Sequence, residues 1–170
     1  DDDAAQVADR WVFYNNSYYD GNNGDPGPDD FNAVAPHTSI AGGHGPHGTG
    51  KDEPAKELGK DALLPGGTAT LANYTSYSKG LNGIMIDIGG LFGEPTEADF
   101  VFKVGNHDDP ATWSDAPAPA SITVFADAGT PDGLGRPSDR VTVIWPDSAI
   151  QNTWLQITVL ATPATRLAAP

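Results

Sequence analysis

Alternation of apolar and polar residues in short runs is the feature that most constrains this chain. From residue 66 to residue 161 the alternation fills strand-sized stretches, with glycine, proline, asparagine and aspartate gathered between them. Residues 83–88 put Ile84, Ile86 and Ile88 on one face and Met85 and Asp87 on the other. Residues 99–104 turn Phe100, Phe102 and Val104 one way and Val101 and Lys103 the other. In residues 121–126, Ile122 and Val124 oppose Thr123 and Phe125, and residues 140–145 align Val141, Val143 and Trp145. Residues 153–160 align Leu155, Ile157 and Val159 opposite Trp154, Gln156 and Thr158. The runs 10–14 (RWVFY) and 68–74 (TATLANY) complete seven strand candidates, and no segment of useful length has a helical period. Two packed antiparallel sheets bury one face of each strand. The expected fold is an all-β antiparallel sandwich, jelly-roll-like or immunoglobulin-like, over residues 1–161, with Trp11, Phe102 and Trp145 in the core. Residues 162–170 (TPATRLAAP) are expected to form a tail or linker.

One stretch breaks the pattern. Residues 20–61 are acidic, rich in Gly, Pro and His, and nearly devoid of core-forming residues, so a single long loop insertion is expected there. Within it, residues 52–60 leave room for one helical turn between Pro54 and Gly59. With 20 glycines and 15 prolines in 170 residues, the chain suits a turn-rich β protein and stays below the level of a disordered one.

Charge and cysteine narrow the partners. A net charge of −14 with 9 scattered Lys and Arg argues against nucleic acid and against an anionic membrane surface. It favours divalent cations or neutral partners. Without cysteine there is no disulfide framework, thiolate metal site or cysteine nucleophile. No apolar run approaches the ~18 residues of a membrane-spanning helix. No signal peptide is present, and the opening Asp1-Asp2-Asp3 suggests a mature or trimmed start. The acidic balance points to an extracellular or cell-surface location.

Three long segments carry a family resemblance: 63–88 (LLPGGTATLANYTSYSKGLNGIMIDI), 99–113 (DFVFKVGNHDDPATW) and 140–161 (RVTVIWPDSAIQNTWLQITVLA). Together with RWVFYNNS near the start, they resemble an uncharacterised β-rich module of large secreted bacterial proteins, often placed next to a dockerin-type repeat. The resemblance implies secretion and modularity, and it brings no site residues with it. It leaves out roughly residues 20–59, so the His-rich part of the loop is particular to this chain.

Four kinds of chemistry have candidates. His37, His44 and His47 fall within eleven residues (HTSIAGGHGPH), and three imidazoles bind Zn²⁺ or Cu²⁺; the alternative is a solvated loop with incidental histidines. Asp20, Asn22, Asp25, Asp29 and Asp30 in one loop, and Asn106, Asp108 and Asp109 in another, supply the oxygens that Ca²⁺ takes, though not in EF-hand register. Plain turn chemistry explains the same residues without an ion. Tyr18, Tyr19, Tyr74, Tyr77, Trp113 and Trp154 are candidate stacking surfaces for sugars, with Asn73, Asn152 and Gln156 as hydrogen-bonding partners, unless a second layer covers the rings. No catalytic residues are assigned: carboxylates are plentiful but none sits in a distinctive motif, and serine-nucleophile and phosphate-loop signatures are missing.

The expected function is a secreted, non-catalytic interaction module that binds polysaccharide on an aromatic-bearing face, with structural calcium. The alternative is a structural or adhesive surface subunit that associates with copies of itself or with another extracellular protein. A metal-dependent enzyme using the loop histidines is third.

Overall fold

A computed structural model of the chain describes residues 4–34 and 60–169. Among these, seven strands form: β1 (Gln6–Val12), β2 (Gly83–Gly89), β3 (Phe100–Gly105), β4 (Ser114–Asp115), β5 (Ser121–Gly129), β6 (Ser138–Ile144) and β7 (Trp154–Val159). They make two antiparallel sheets, in the orders β1-β2-β6-β5 and β4-β3-β7. The all-β antiparallel sandwich is what the alternation predicts.

Register follows from burial. Ile84 pairs with Val143 and Ile86 with Val141 in the larger sheet, and Phe102 pairs with Ile157 in the smaller one. A slip of one residue would turn every one of these side chains outward. Between the sheets lie Ile84, Ile86, Ile88, Val141, Val143, Phe100, Phe102 and Trp145, with Ile122, Val124, Leu155, Ile157 and Val159 at the margin. Phe102 stacks on Phe100 at 5.5 Å and meets Trp145 edge-on at 5.2 Å. The Trp145 indole is fully buried, and its Nε1–H donates to the Pro117 carbonyl at 2.8 Å.

The outer face of the larger sheet is covered too. Trp11, Phe13, Met85, Ile144 and Ala33 form a second core, with Tyr14, Phe31 and Val34 packed against it. The segment after β1 therefore folds back as a lid, and Phe13 bridges to Val34. The described part of residues 20–61 shares in this packing: Asp20, Asp30 and Ala33 are buried, and Phe31 packs on the sheet. The possible helical turn at 52–60 lies outside the described residues, apart from Lys60.

Under the lid, Asp87 and Arg140 are cross-strand partners that form a bidentate ion pair, with both contacts at 2.8 Å. The Arg140 guanidinium sits 4.3 Å from the centroid of the Phe31 ring, and Trp11 meets that ring edge-on at 5.9 Å. The pair thus presents a fixed guanidinium face to the lid, beside the apolar packing of Ala33 and Val34.

Residues 68–74 are not a strand. Thr70 caps a 3₁₀ turn, Leu71–Asn73, in which its hydroxyl accepts the Ala72 N–H and Asn73 Oδ1 accepts the Thr70 N–H. Such local side-chain bonds compete with a ladder, and here the alternation is too weak to oppose them. The seventh strand is instead β4, two exposed polar residues with no alternation to announce them. β1 begins earlier than expected and carries a bulge between Val7 and Asp9. Residues 162–169, expected as a tail or linker, lie against the sandwich: Thr165 is fully buried, and Leu167 bridges to Ala5 and packs on the core.

Because Gly83 pairs with Ile144 and Gly105 with Trp154, the segments after β1, before β2, after β3 and between β6 and β7 all emerge at one end of the sandwich. The candidate site is there.

Candidate functional site

The chain leaves the sheet at Asn15 through a reciprocal amide pair. Asn82 Oδ1 accepts the Asn15 N–H at 3.1 Å, and Asn82 Nδ2 donates to the Asn15 carbonyl at 2.9 Å. Asn16 then adopts a left-handed conformation (φ 55°), which asparagine tolerates better than most residues. Ser17 opens the three-residue 3₁₀ turn Tyr18–Asp20: its hydroxyl accepts the Tyr19 N–H, and Asp20 Oδ1 accepts the Ser17 N–H at 2.9 Å. With three residues per turn, successive side chains point about 120° apart. Asp20 therefore points inward (3% exposed), while Tyr18 (84% exposed) and Tyr19 (38%) face solvent.

The segment before β2 supplies the opposite wall. Tyr77 stacks on Tyr14 with centroids 4.4 Å apart and planes 18° from parallel. Its hydroxyl donates to the carbonyls of Asn15 and Asn16, and Thr75 Oγ1 donates to the Tyr14 hydroxyl at 2.7 Å. Lys79 Nζ donates to the Asn16 carbonyl at 2.6 Å and lies 3.1 Å from Asp147. The Asp147 carboxylate also accepts from Asn16 and Asn82. Between these walls runs an open groove of about 510 Å³, lined by Tyr14, Tyr18, Tyr19 and Tyr77 with Asn16, Asn22, Ser76 and Ser78 among them.

Electrostatics keep these groups in fixed protonation states. Burial, then the charges of Asp147 and Asp20, push the Tyr77 hydroxyl up to about 12, so it stays a neutral donor. Burial raises the Asp147 carboxyl, but hydrogen bonds from Lys79, Asn82 and Asn16 outweigh that and hold it below its ordinary value. Inside the loop the balance reverses. Burial raises the Asp20 carboxyl despite backbone N–H groups around it, and burial with the charges of Asp20 and Asp29 pushes Asp30 up to about 6.

The aromatic residues singled out from sequence fall into three places rather than one face. Tyr18, Tyr19 and Tyr77 line the groove. Tyr74 and Trp154 meet edge to face at 6.2 Å. Trp113 is fastened by its own loop: its Nε1–H donates to the His107 carbonyl at 3.0 Å, and the indole lies so close over Gly105 that no Cβ fits there. Asn152 is exposed in a left-handed turn (φ 55°), its carbonyl taken by Asn106 Nδ2, and Gln156 is half-buried opposite Lys103. Asn73 is occupied in holding the 61–73 segment.

The acidic candidates divide as well. Asp20 and Asp30 point inward, whereas Asn22, Asp25 and Asp29 are exposed. Asp108 and Asp109 are exposed, and Asn106 is turned toward Asn152. Among the described residues no three His, Cys, Asp or Glu side chains come together. His37, His44 and His47 lie outside the described residues. Tyr14, Asn16, Lys79, Asn82 and Asp147 were not singled out from sequence; RWVFYNNS, with Asn15 and Asn16 directly after an aromatic strand, was the available signal.

Comparison of the chain with protein-family models, with curated proteins and with solved structures finds no match.

Proposed function

We propose that this chain is a secreted, non-catalytic module that binds a neutral polysaccharide along the tyrosine-lined groove. The observation that carries the reading is the pairing of Tyr18 and Tyr19, both open to solvent, with Asn16, Asn22, Ser76 and Ser78 in one groove. Pyranose rings stack their apolar faces on aromatic rings and pair their hydroxyls with amides and hydroxyls, and this lining offers both. The net charge of −14 disfavours acidic glycans.

The test is affinity electrophoresis through gels containing neutral polysaccharides, followed by calorimetric titration of the best ligand. Tyr18→Ala and Tyr19→Ala should each weaken binding about tenfold, or about 1.4 kcal/mol. Melting temperature should hardly change for Tyr18→Ala, because that ring is 84% exposed. Tyr74→Ala, away from the groove, should bind like the parent. Retardation by no polysaccharide, or binding indifferent to both groove tyrosines, refutes the reading. Concentration-dependent self-association blocked by Tyr18→Ala would instead give the groove to a second copy of the chain.

A further inference from the structure

The inner side of the groove's loop carries two buried carboxyl groups, each with one oxygen that no hydrogen bond reaches. Asp20 is 3% exposed and Asp30 is 0% exposed. Each places one carboxylate oxygen on the backbone: Asp20 Oδ1 accepts the N–H groups of Ser17 and Asn23, and Asp30 Oδ2 accepts that of Gly27 at 2.9 Å. The other oxygens, Asp20 Oδ2 and Asp30 Oδ1, are buried and accept no hydrogen bond. Asn15 Oδ1, on a side chain held to the Gly24 carbonyl through Nδ2, is buried and unpartnered in the same way. Asp30 sits in a second 3₁₀ turn, Pro28–Ala33, which packs against the turn Tyr18–Asp20, and the charge of Asp20 bears on Asp30. No described Lys, Arg or His forms an ion pair with either.

Buried carboxylates are strongly unfavourable unless paired or coordinated to a cation. We infer that this loop holds a calcium ion, with the unpartnered Asp20 Oδ2, Asp30 Oδ1 and Asn15 Oδ1 as its protein ligands. The donor set selects the metal. It is all oxygen, two carboxylates match the ion's charge, and calcium accepts amide oxygens, backbone carbonyls and water in a flexible shell of six to eight. Magnesium holds its waters and demands a strict octahedron, which suits a turn-built loop less well. Transition metals favour imidazole or thiolate, and neither lies among these three ligands. Of the loop's acidic residues, only Asp20 and Asp30 have this role, while Asn22, Asp25 and Asp29 stay at the surface. The inference stands whether or not the groove binds sugar.

The experiment strips the wild-type protein with chelator and titrates CaCl₂ by calorimetry, with thermal unfolding alongside. One ion per chain should bind. At calcium a hundredfold above Kd the melting temperature should rise by roughly 5–10 °C, and MgCl₂ at the same concentration should do much less. Asp20→Asn and Asp30→Asn should each abolish the calcium-dependent rise, while Asp108→Asn with Asp109→Asn should leave it intact. Should neither aspartate variant fold, Asn15→Ser provides the same readout through weakened calcium binding. A wild-type protein with no binding heat and no change in melting temperature overturns the inference. So does stoichiometric binding that survives both aspartate substitutions or is lost with Asp108 and Asp109.

Discussion

Replacing Asp87 with asparagine changes one charge and almost no volume, yet it should leave the guanidinium that faces the lid without its counter-charge. Both carboxylate oxygens are engaged: Oδ1 accepts Arg140 Nε–H, and Oδ2 accepts Arg140 Nη2–H, the Thr130 N–H and, at 3.3 Å, the Trp11 indole N–H. Every partner is a donor. Whichever way an asparagine amide is turned, its NH₂ faces an N–H group, and the guanidinium loses its counter-charge. The side chain of Asp87 is 0% exposed and that of Arg140 9% exposed, so water cannot compensate. Breaking a buried pair from one side costs about 3–5 kcal/mol. That is a large share of the roughly 5–15 kcal/mol that holds a domain folded.

The assay is urea unfolding followed by tryptophan fluorescence, with Trp11 reporting from beneath the lid. For a urea slope of about 2 kcal/mol/M, the midpoint should fall by about 1.5–2.5 M. Adding Arg140→Met removes the stranded charge and should restore part of the loss. It will not restore all of it, since the Arg140–Phe31 stack goes as well, worth about 0.5–2 kcal/mol. A loss below about 1 kcal/mol in Asp87→Asn, or a double variant less stable than the single one, would refute the argument that this buried pair stabilises the fold.

Two further outcomes follow from local geometry. Gly105→Ala drives a methyl group into the Trp113 indole, which its bond to the His107 carbonyl keeps from retreating; thermal unfolding should show a loss of about 1–3 kcal/mol. Asp147 tests the groove's framework by pH. Its folded pKa lies below the ordinary 3.8, so its stabilising contribution is present above that value and is lost as pH falls through the lower folded one. Urea midpoints of wild type and Asp147→Asn, measured from neutral pH down through the carboxylate range, should converge at the acid end, and parallel curves would contradict the role assigned to Asp147.

What could be read from sequence depended on whether a residue's environment is set by its neighbours in the chain. Ile84, Ile86 and Ile88 are buried because the strand alternates, and the alternation is local. Phe31 is different: a single ring in a polar stretch, it packs only because Trp11 and Arg140 of two other strands meet it there. Asp87 was readable as facing away from the isoleucines, but not as buried, since that requires the lid. The candidate site shows the same division. Tyr18, Tyr19 and Tyr77 stand out by type, yet their separation from Trp113 and Trp154 follows from where the chain leaves two different sheets, and Tyr74, only three residues before Tyr77, meets Trp154 instead. The 68–74 segment misled because side-chain capping by Thr70 and Asn73 outweighed a weak alternation.

The turn Tyr18–Asp20 links the two proposals through its shape. A capped 3₁₀ turn holds one side chain in and two out, so Asp20 serves the interior while Tyr18 and Tyr19 serve the surface. The surface positions can change without loss of the turn, because the capping bonds come from Ser17, Asp20 and the backbone. Asp20 holds the Ser17 N–H with one oxygen and faces the proposed calcium with the other, so most changes there touch the turn and the ion together. Ligand preference should therefore be tunable at Tyr18 and Tyr19 at little expense in stability. Tyr18→Trp is the direct case: a larger ring on the same turn should strengthen stacking while calcium affinity and melting temperature stay at the wild-type level. A fall in calcium affinity in that variant would mean that the outer and inner faces of the turn are not independent.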